Sequence, residues 1–520
     1  MLKAASNVLR LIAIGRTLAK YDALFPLEML DATRPVAYLA RFMGGRRRTD
    51  GRPGERLARA LTDLGPTFIK LGQALSVRSD LVGEEVAEDL SRLQDSLPPF
   101  PTDEAKAVVE NDLGIPLEEL FAEFDPKPVA AASIAQVHFA ITPDGCEVAV
   151  KILRPGVMDG FRKDLELFYW LAGIAETTMP TLRRLKPVAV VQTFEDSVTI
   201  EMDLRLEAAA ASELKENTAD DEDFEVPSVD WQRTGRRVLT LERVHGVNID
   251  EVPSLEEPAF DVDALLETAA RIFFLQVFRD GFFHADTHPG NMFVTEDGIL
   301  IPVDFGIMGR LDRDSRNYLA DMLLGFLDRD YDRVADVHFE AGYVPRHKYR
   351  DAFKQAVRSI GEPLFDRPLE EISIARLLAQ LFQITETFEM ETRPELLLLQ
   401  KSMLVAEGVG RKLNPAVNMW LLARPLIEQW MIENRGPEAR LRDALGNAID
   451  IMERLPATLA RAEDLAAMVT EGGLKLHPDT VAAMRGRRPG QRTGGGGTML
   501  FVAAVAVAAL VLAVVAIALD

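Results

Sequence analysis

Phe283-His284-Ala285-Asp286-Thr287-His288-Pro289-Gly290-Asn291, followed by Val303-Asp304-Phe305-Gly306, is the stretch on which the reading of this chain turns. It places a carboxylate on a loop, an amide five positions later, and a second carboxylate at the end of a strand. The residues between read as a hairpin, with strands at 292–294 and 299–301 joined by a turn at Glu296-Asp297-Gly298. Transfer of a phosphoryl group from ATP needs these parts. One Asp orients or deprotonates the nucleophile, and an Asn and a second Asp hold the Mg²⁺ that bridges the phosphates. Asp286, Asn291 and Asp304 are the candidates for those roles. The plain alternative is an acidic turn with a capping Asp, but two signals in this order and spacing are harder to obtain by chance than a lone Asp-Phe-Gly.

A cation for the phosphates is found upstream. Val148-Ala149-Val150-Lys151 reads as a β-rich strand ending in a lysine. It follows the turn Thr142-Pro143-Asp144-Gly145 and, before that, the loop Val129-Ala130-Ala131-Ala132-Ser133-Ile134-Ala135-Gln136-Val137. Phosphate-covering loops are usually glycine-rich, so that backbone can approach the ligand. Here each alanine Cβ narrows the accessible backbone space and stiffens the loop. A helix carrying Glu201-Met202-Asp203-Leu204-Arg205-Leu206-Glu207 is expected next. Asp203 and Glu207 would share one face at i,i+4, and Glu207 would pair with Lys151. Glu242-Arg243-Val244-His245-Gly246 reads as a hinge, with His245 structural. Asp261 starts a helix that ends at Gly281 and delivers the Asp286 loop. His284 is expected to brace that loop rather than react. No second histidine at metal spacing accompanies His288, so a zinc site is not expected.

The chain has 520 residues, enough for one large domain or two ordinary ones. Against 59 basic residues stand 81 acidic ones, net −22, which argues against general nucleic-acid binding. The single cysteine, Cys146, excludes an internal disulfide and a thiolate metal cluster. Residues 499–519 contain no polar or charged side chain, a length that spans a bilayer core. Gly494 to Gly497 lead into them, and Arg485, Arg487, Arg488 and Arg492 would keep the main body on the cytoplasmic side of the membrane and could touch anionic lipid.

Near the N-terminus, Pro66 suits the first turn of a helix in which Lys70 and Gln73 leave the same face. The run Leu93-Gln94-Asp95-Ser96-Leu97-Pro98-Pro99 then ends the helical extension. Lys70-Leu71-Gly72-Gln73, this Leu-Gln-Asp…Pro-Pro run, and 283–291 with Asp304 together resemble the UbiB-type atypical kinase-like proteins of ubiquinone biosynthesis. The resemblance runs over roughly residues 57–413. It implies an α+β, bilobal protein-kinase-like fold with an N-terminal helical extension (1–101), an N-lobe (102–245) and a C-lobe with further helices (246–475), to which the composition read above adds a basic glycine linker (476–498) and a C-terminal transmembrane helix (499–519). It implies ATP and Mg²⁺ as cofactors, Lys151 on the α/β-phosphates, and an inner-membrane location with ubiquinone-pathway enzymes or quinone precursors as partners. Glu201 and Asp203 match the family's Glu-x-Asp motif, which faces the Lys-x-Gly-Gln helix as a regulatory element. The family shares the alanine-rich loop, whereas Thr287 stands where it usually has proline. Two function classes fit: a catalyst that hydrolyses ATP or phosphorylates a small molecule or protein, and a nucleotide-gated scaffold for pathway enzymes without productive turnover.

Overall fold

A computed structural model describes residues 2–24, 51–76, 83–91, 93, 97–178, 187–249, 251–252, 260–285, 288–365, 384–385, 387–390, 393–414 and 419–435. Asp286, Thr287 and the apolar run 499–519 lie outside the described residues. Among the described residues no helix is long and apolar enough to cross a membrane. Contacts divide the described residues into two units, one ending at Leu426 and one beginning at Ile427. The second holds residues 427–435, within the helix Met419–Arg435.

The first unit opens with four helices, α1 (Leu2–Lys20), α2 (Pro53–Leu64), α3 (Pro66–Ser76) and α4 (Glu84–Ser91). Pro66 sits at the start of α3, where its missing N–H costs nothing. A Cβ at Gly72 would come within 2.6 Å of Leu93 and 2.8 Å of Leu61, so the Lys-x-Gly-Gln glycine is there for close helix packing. Next come α5 (Thr102–Leu113), α6 (Leu117–Leu120), and β1 (Glu123–Phe124), β2 (Ala130–Ala131), β3 (Ala135–Ile141) and β4 (Glu147–Leu153). After α7 (Val157–Thr178), α8 (Pro187–Glu201) and α9 (Leu204–Asn217), β5 (Val238–Glu242) completes an antiparallel five-stranded sheet of order β1-β3-β4-β5, with β2 paired to β3. Side chains alternate along β4. Val148, Val150 and Ile152 pack with Val108 and Val109 of α5, which leaves Lys151 on the opposite face.

The rest of the unit runs through β6 (Val247–Asn248), α10 (Val262–Leu275), β7 (Phe282–His284), β8 (Met292–Val294), β9 (Leu300–Pro302) and β10 (Met308–Arg310). Then come α11 (Arg313–Leu327), α12 (Tyr331–Glu340), α13 (Arg350–Phe365) and α14 (Pro394–Leu413). Asp261 caps α10 by accepting the N–H groups of Asp263 and Ala264. The expected helix to Gly281 is found in two parts. Beyond Leu275 it loosens into a π-helical segment, Gln276–Asp280, closed by Gly281 at φ 66°.

One core runs from the N-terminal helices into the sheet. Phe68 of α3 meets Phe168 of α7 edge-on at 5.7 Å. Leu75, Ile134, Leu204 and Phe305 belong to the same buried cluster. The extension is therefore part of the folded body, not an appended arm.

Two expectations about local structure are corrected. Residues 129–137 are not an open loop: Ala130 and Ala131 pair with Val137 and Gln136 as a short hairpin. The Ala132 N–H closes it on the Ala135 carbonyl at 2.7 Å. Alanine favours such extended pairing where glycine would stay loose. Residues 201–207 are not one helix. α8 ends at Glu201, Asp203 is extended (φ −119°, ψ 91°) and caps α9 by accepting the Arg205 N–H. Asp203 and Glu207 therefore do not form an i,i+4 pair on a helix face.

Candidate nucleotide and metal site

The inner face of β4 brings together the charges read from the sequence. Lys151 Nζ donates to Glu207 Oε1 at 2.7 Å and to Asp304 Oδ2 at 3.3 Å. Glu207, on the first turn of α9, is buried, and its Oε1 also accepts the Phe305 N–H at 3.4 Å. Asp304 keeps 44% of its side-chain surface open, and its Oδ1 accepts the Gly306 N–H at 3.0 Å. One ammonium thus bridges a covered and an open carboxylate.

The electrostatics follow from that geometry. Burial alone would lower the Lys151 pKa, but the Asp304 and Glu207 carboxylates outweigh it and raise it, so the lysine stays cationic. Partial loss of surrounding water pushes the Asp304 carboxyl up, yet the Lys151 ammonium and the Gly306 N–H hold it down at about 2. Glu207 is pushed up by burial, with Lys151 pulling against it and the Asp304 charge adding to it.

Asn291 ends the 3₁₀ turn Pro289–Asn291. Its carbonyl accepts the Val303 N–H at 3.0 Å, and Met292 pairs with Pro302. Asn291, just before β8, and Asp304, just after β9, are thereby set at the adjoining ends of two hydrogen-bonded strands. An amide oxygen and an ionised, solvent-facing carboxylate are hard oxygen donors that suit Mg²⁺. The described residues contain no group of three or more His, Cys, Asp or Glu side chains able to hold a metal ion.

Asp286 is outside the described residues, but both flanks of its loop are anchored. The Ala285 N–H donates to the Ile307 carbonyl at 3.0 Å, and His288 Nδ1 accepts the Gly290 N–H at 3.1 Å. The His284 ring, edge-on to Phe305, donates through Nε2 to the backbone carbonyl of Asp304. It ties the loop to the metal-side strand, the bracing role expected of it. His245 pairs with Glu147 at 2.7 Å.

The alanine hairpin is held by a residue that sequence reading passed over. Arg154 donates to the Ala132 carbonyl at 3.0 and 2.8 Å and to the Pro98 carbonyl at 2.9 Å, with its guanidinium 5.5 Å from the Phe100 ring centre. Its position three residues after Lys151 was the available signal. Gln136, expected to contact nucleotide, instead holds Phe100 through both backbone groups and approaches His138 at 2.8 Å. Ser133 is fully buried, and its hydroxyl has no hydrogen-bond partner among the described residues. Such a hydroxyl is suited to a ligand oxygen. Val129 is exposed, and Ile134 and Ala135 are buried.

Lys70 and Glu201 form an ion pair at 2.7 Å with 11% and 16% of their side chains exposed. Gln73 is half-buried one turn further along α3. Asp203 binds Arg205 at 2.6 Å and lies 3.9 Å from Arg236, so the two acidic residues of that motif have different partners.

The chain is similar to known proteins. The ABC1 atypical kinase-like domain matches residues 92–338, and the UbiB helical domain matches residues 357–418. A Marinobacter nauticus protein named "Probable protein kinase UbiB" is 43% identical over 427 residues, 81% of this chain and 77% of that protein. An Azotobacter vinelandii protein of the same name is 41% identical over 468 residues, 88% of this chain and 87% of that protein. Among solved structures, Rv3197 of Mycobacterium tuberculosis, in complex with erythromycin, is 26% identical with a TM-score of 0.48, covering 75% of this chain and 97% of that one.

Proposed function

The chain belongs to the UbiB family of atypical kinase-like proteins, and on that premise we propose that it is an ATP-binding enzyme, a phosphotransferase or ATPase, that supports ubiquinone biosynthesis at the inner membrane. The observation that carries the reading is the Lys151 ammonium held between Glu207 and Asp304. A cation fixed by a buried carboxylate can meet phosphate oxygens with little reorganisation, which is how such sites stabilise developing charge. Asn291 and Asp304 would hold Mg²⁺, which when bound neutralises charge on the phosphates. Asp286 would orient the attacking group. The hairpin of Ala130, Ala131 and Ala132, with the Ser133 hydroxyl, would cover the nucleotide, and the paired Lys70 and Glu201 would restrain α3 against α8.

The scaffold reading has one observation in its favour: both oxygens of Asp304 are already engaged, by Lys151 and by the Gly306 N–H. A nucleotide-responsive protein without turnover would need no more than an exchange of these partners. The two readings separate on ATP turnover by the full-length protein, with and without lipid vesicles and quinone-like phenols, beside Asp286→Asn. Loss of turnover by about 100-fold or more supports the enzyme. Equal rates in both proteins support the scaffold.

A further inference from the structure

Beneath the metal-side strands lies a partly open cavity of about 70 Å³. The strands next to Asp286, Asn291 and Asp304, namely β7, β8 and β9, each contribute to its wall. His284 precedes Asp286 by two positions, Met292 follows Asn291, and Pro302 precedes Asp304 by two. The opposite wall includes Ala269 of α10 and Ala406 of α14, whose small side chains leave the space unfilled. The floor of the candidate metal site is therefore also the roof of a hole bounded by the helical segment that follows the kinase-like core.

The lining decides what could enter. Its polar members are Gln276 and His284, and these already serve each other and the site. Gln276 Oε1 accepts the His284 N–H at 3.1 Å, and the His284 ring donates to the Asp304 carbonyl. The π-helical segment that places Gln276 is fastened from outside, since Arg279 binds Asp221 at 2.9 Å and Arg316 donates to the Arg279 carbonyl at 2.8 Å. A polar group brought into this hole would be buried against hydrocarbon, at a cost that apolar atoms do not incur.

We infer that the cavity binds the tip of a hydrocarbon chain, and that filling it steadies the His284–Asp304 link and tightens Mg²⁺·ATP binding. The volume is several times the roughly 10–15 Å³ that one water requires, enough for a few methylene-sized groups. The remainder of the chain leaves through the open side. Acyl and isoprenoid chains share this chemistry. The coupling to nucleotide rests on the function proposed above; binding of the chain does not.

The test uses the full-length protein, with n-octanol and geraniol as probes and 1,8-octanediol as the control that must bury a hydroxyl. Saturable binding is read by saturation-transfer NMR without nucleotide, and the Mg²⁺·ATP Kd is read separately by calorimetry. The expected results are saturable binding of octanol or geraniol, diol binding weaker by about tenfold, and Mg²⁺·ATP affinity raised about fivefold by the bound probe. The better probe assigns the chain type, and either preference supports the site. Ala406→Leu and Ala269→Leu fill the hole from opposite walls, so either folded variant should lose probe binding. Saturable binding that survives in both variants, or diol binding as tight as octanol, overturns the inference. Probe binding without any Mg²⁺·ATP binding would overturn the nucleotide reading and the coupling, and leave the hydrocarbon site standing.

Discussion

Lys151 Nζ lies 3.3 Å from Asp304 Oδ2, joining the antiparallel sheet to the strand end that follows β9. The lysine's firmer partner is Glu207 at 2.7 Å, so the Asp304 contact is the exchangeable half of a bridge. An open carboxylate facing a fixed cation is suited to accept a metal while the cation turns to phosphate. Asp304→Asn keeps the shape but removes the charge. Mg²⁺-dependent ATP binding should fall by about 100-fold or more, an effect of the size expected for a hard-cation ligand. The fold should survive, because Glu207 still holds the lysine. Calorimetry with Mg²⁺·ATP checks this, and unchanged affinity would remove Asp304 from the metal site.

Lys151→Met leaves Glu207 buried without its cation. Breaking a covered pair in this way costs about 3–5 kcal/mol. The pH dependence has a definite sign. Glu207 already titrates above its unfolded value because of burial. Its favourable contribution is complete below the unfolded pKa and is lost as pH rises through the folded one. Removing the lysine lifts the folded value further, so the variant should gain stability on acidification from pH 8 to pH 5 relative to wild type. Adding Glu207→Gln should flatten that difference. Denaturant melts across this range decide it, and a variant with the pH slope of wild type would contradict the burial argument.

The Lys70–Glu201 pair should behave as a coupled unit. Both side chains are largely covered, so either single alanine variant breaks a largely desolvated pair, and the double variant isolates what the pair itself contributes. A double-mutant cycle on unfolding free energy should return a coupling of about 1–3 kcal/mol. Additive effects would show that the pair does not hold α3 to α8. Asp203→Ala should act differently, costing about 1 kcal/mol through loss of the α9 cap.

Gly309 is constrained from across the β7–β10 ladder. A Cβ there would lie 2.1 Å from Cζ of Phe283, a fully buried ring just before His284. Gly309→Ala must displace that ring or the strand, and overpacking of this kind costs about 1–3 kcal/mol. Because β7 leads into the Asp286 loop, turnover should fall more than stability does. Parallel thermal melts and ATPase rates test the split. Gly298, at φ 83° with open space where a side-chain methyl would sit, gives a control in which alanine strains only the turn.

Removal of everything after Arg488 deletes the apolar run 499–519. The remaining protein should partition into the soluble fraction. Tight membrane association of the truncated chain would assign the anchoring to another surface.

The candidate residues were legible in one dimension because the spacings that phosphoryl transfer would require are short. Asp286, Asn291 and Asp304 fall within 19 residues joined by a hairpin, and a lysine at the end of a β-rich run is a local pattern. The Lys-x-Gly-Gln and Leu-Gln-Asp…Pro-Pro stretches gave the family for the same reason. The Lys151–Glu207 pair was legible too, but the division of Glu201 and Asp203 between partners was not. That Lys70 meets Glu201 while Asp203 turns to Arg205 depended on where α8 ends, which a cap decides against a continuous helical pattern. The division of roles within 129–137 likewise needed the hairpin register, since one step along a strand moves a side chain to the other face. Arg154 and the cavity beside Ala406 belong wholly to tertiary structure. The arginine's carbonyl partners are 22 and 56 residues away, and a hole exists only where side chains from distant elements fail to meet.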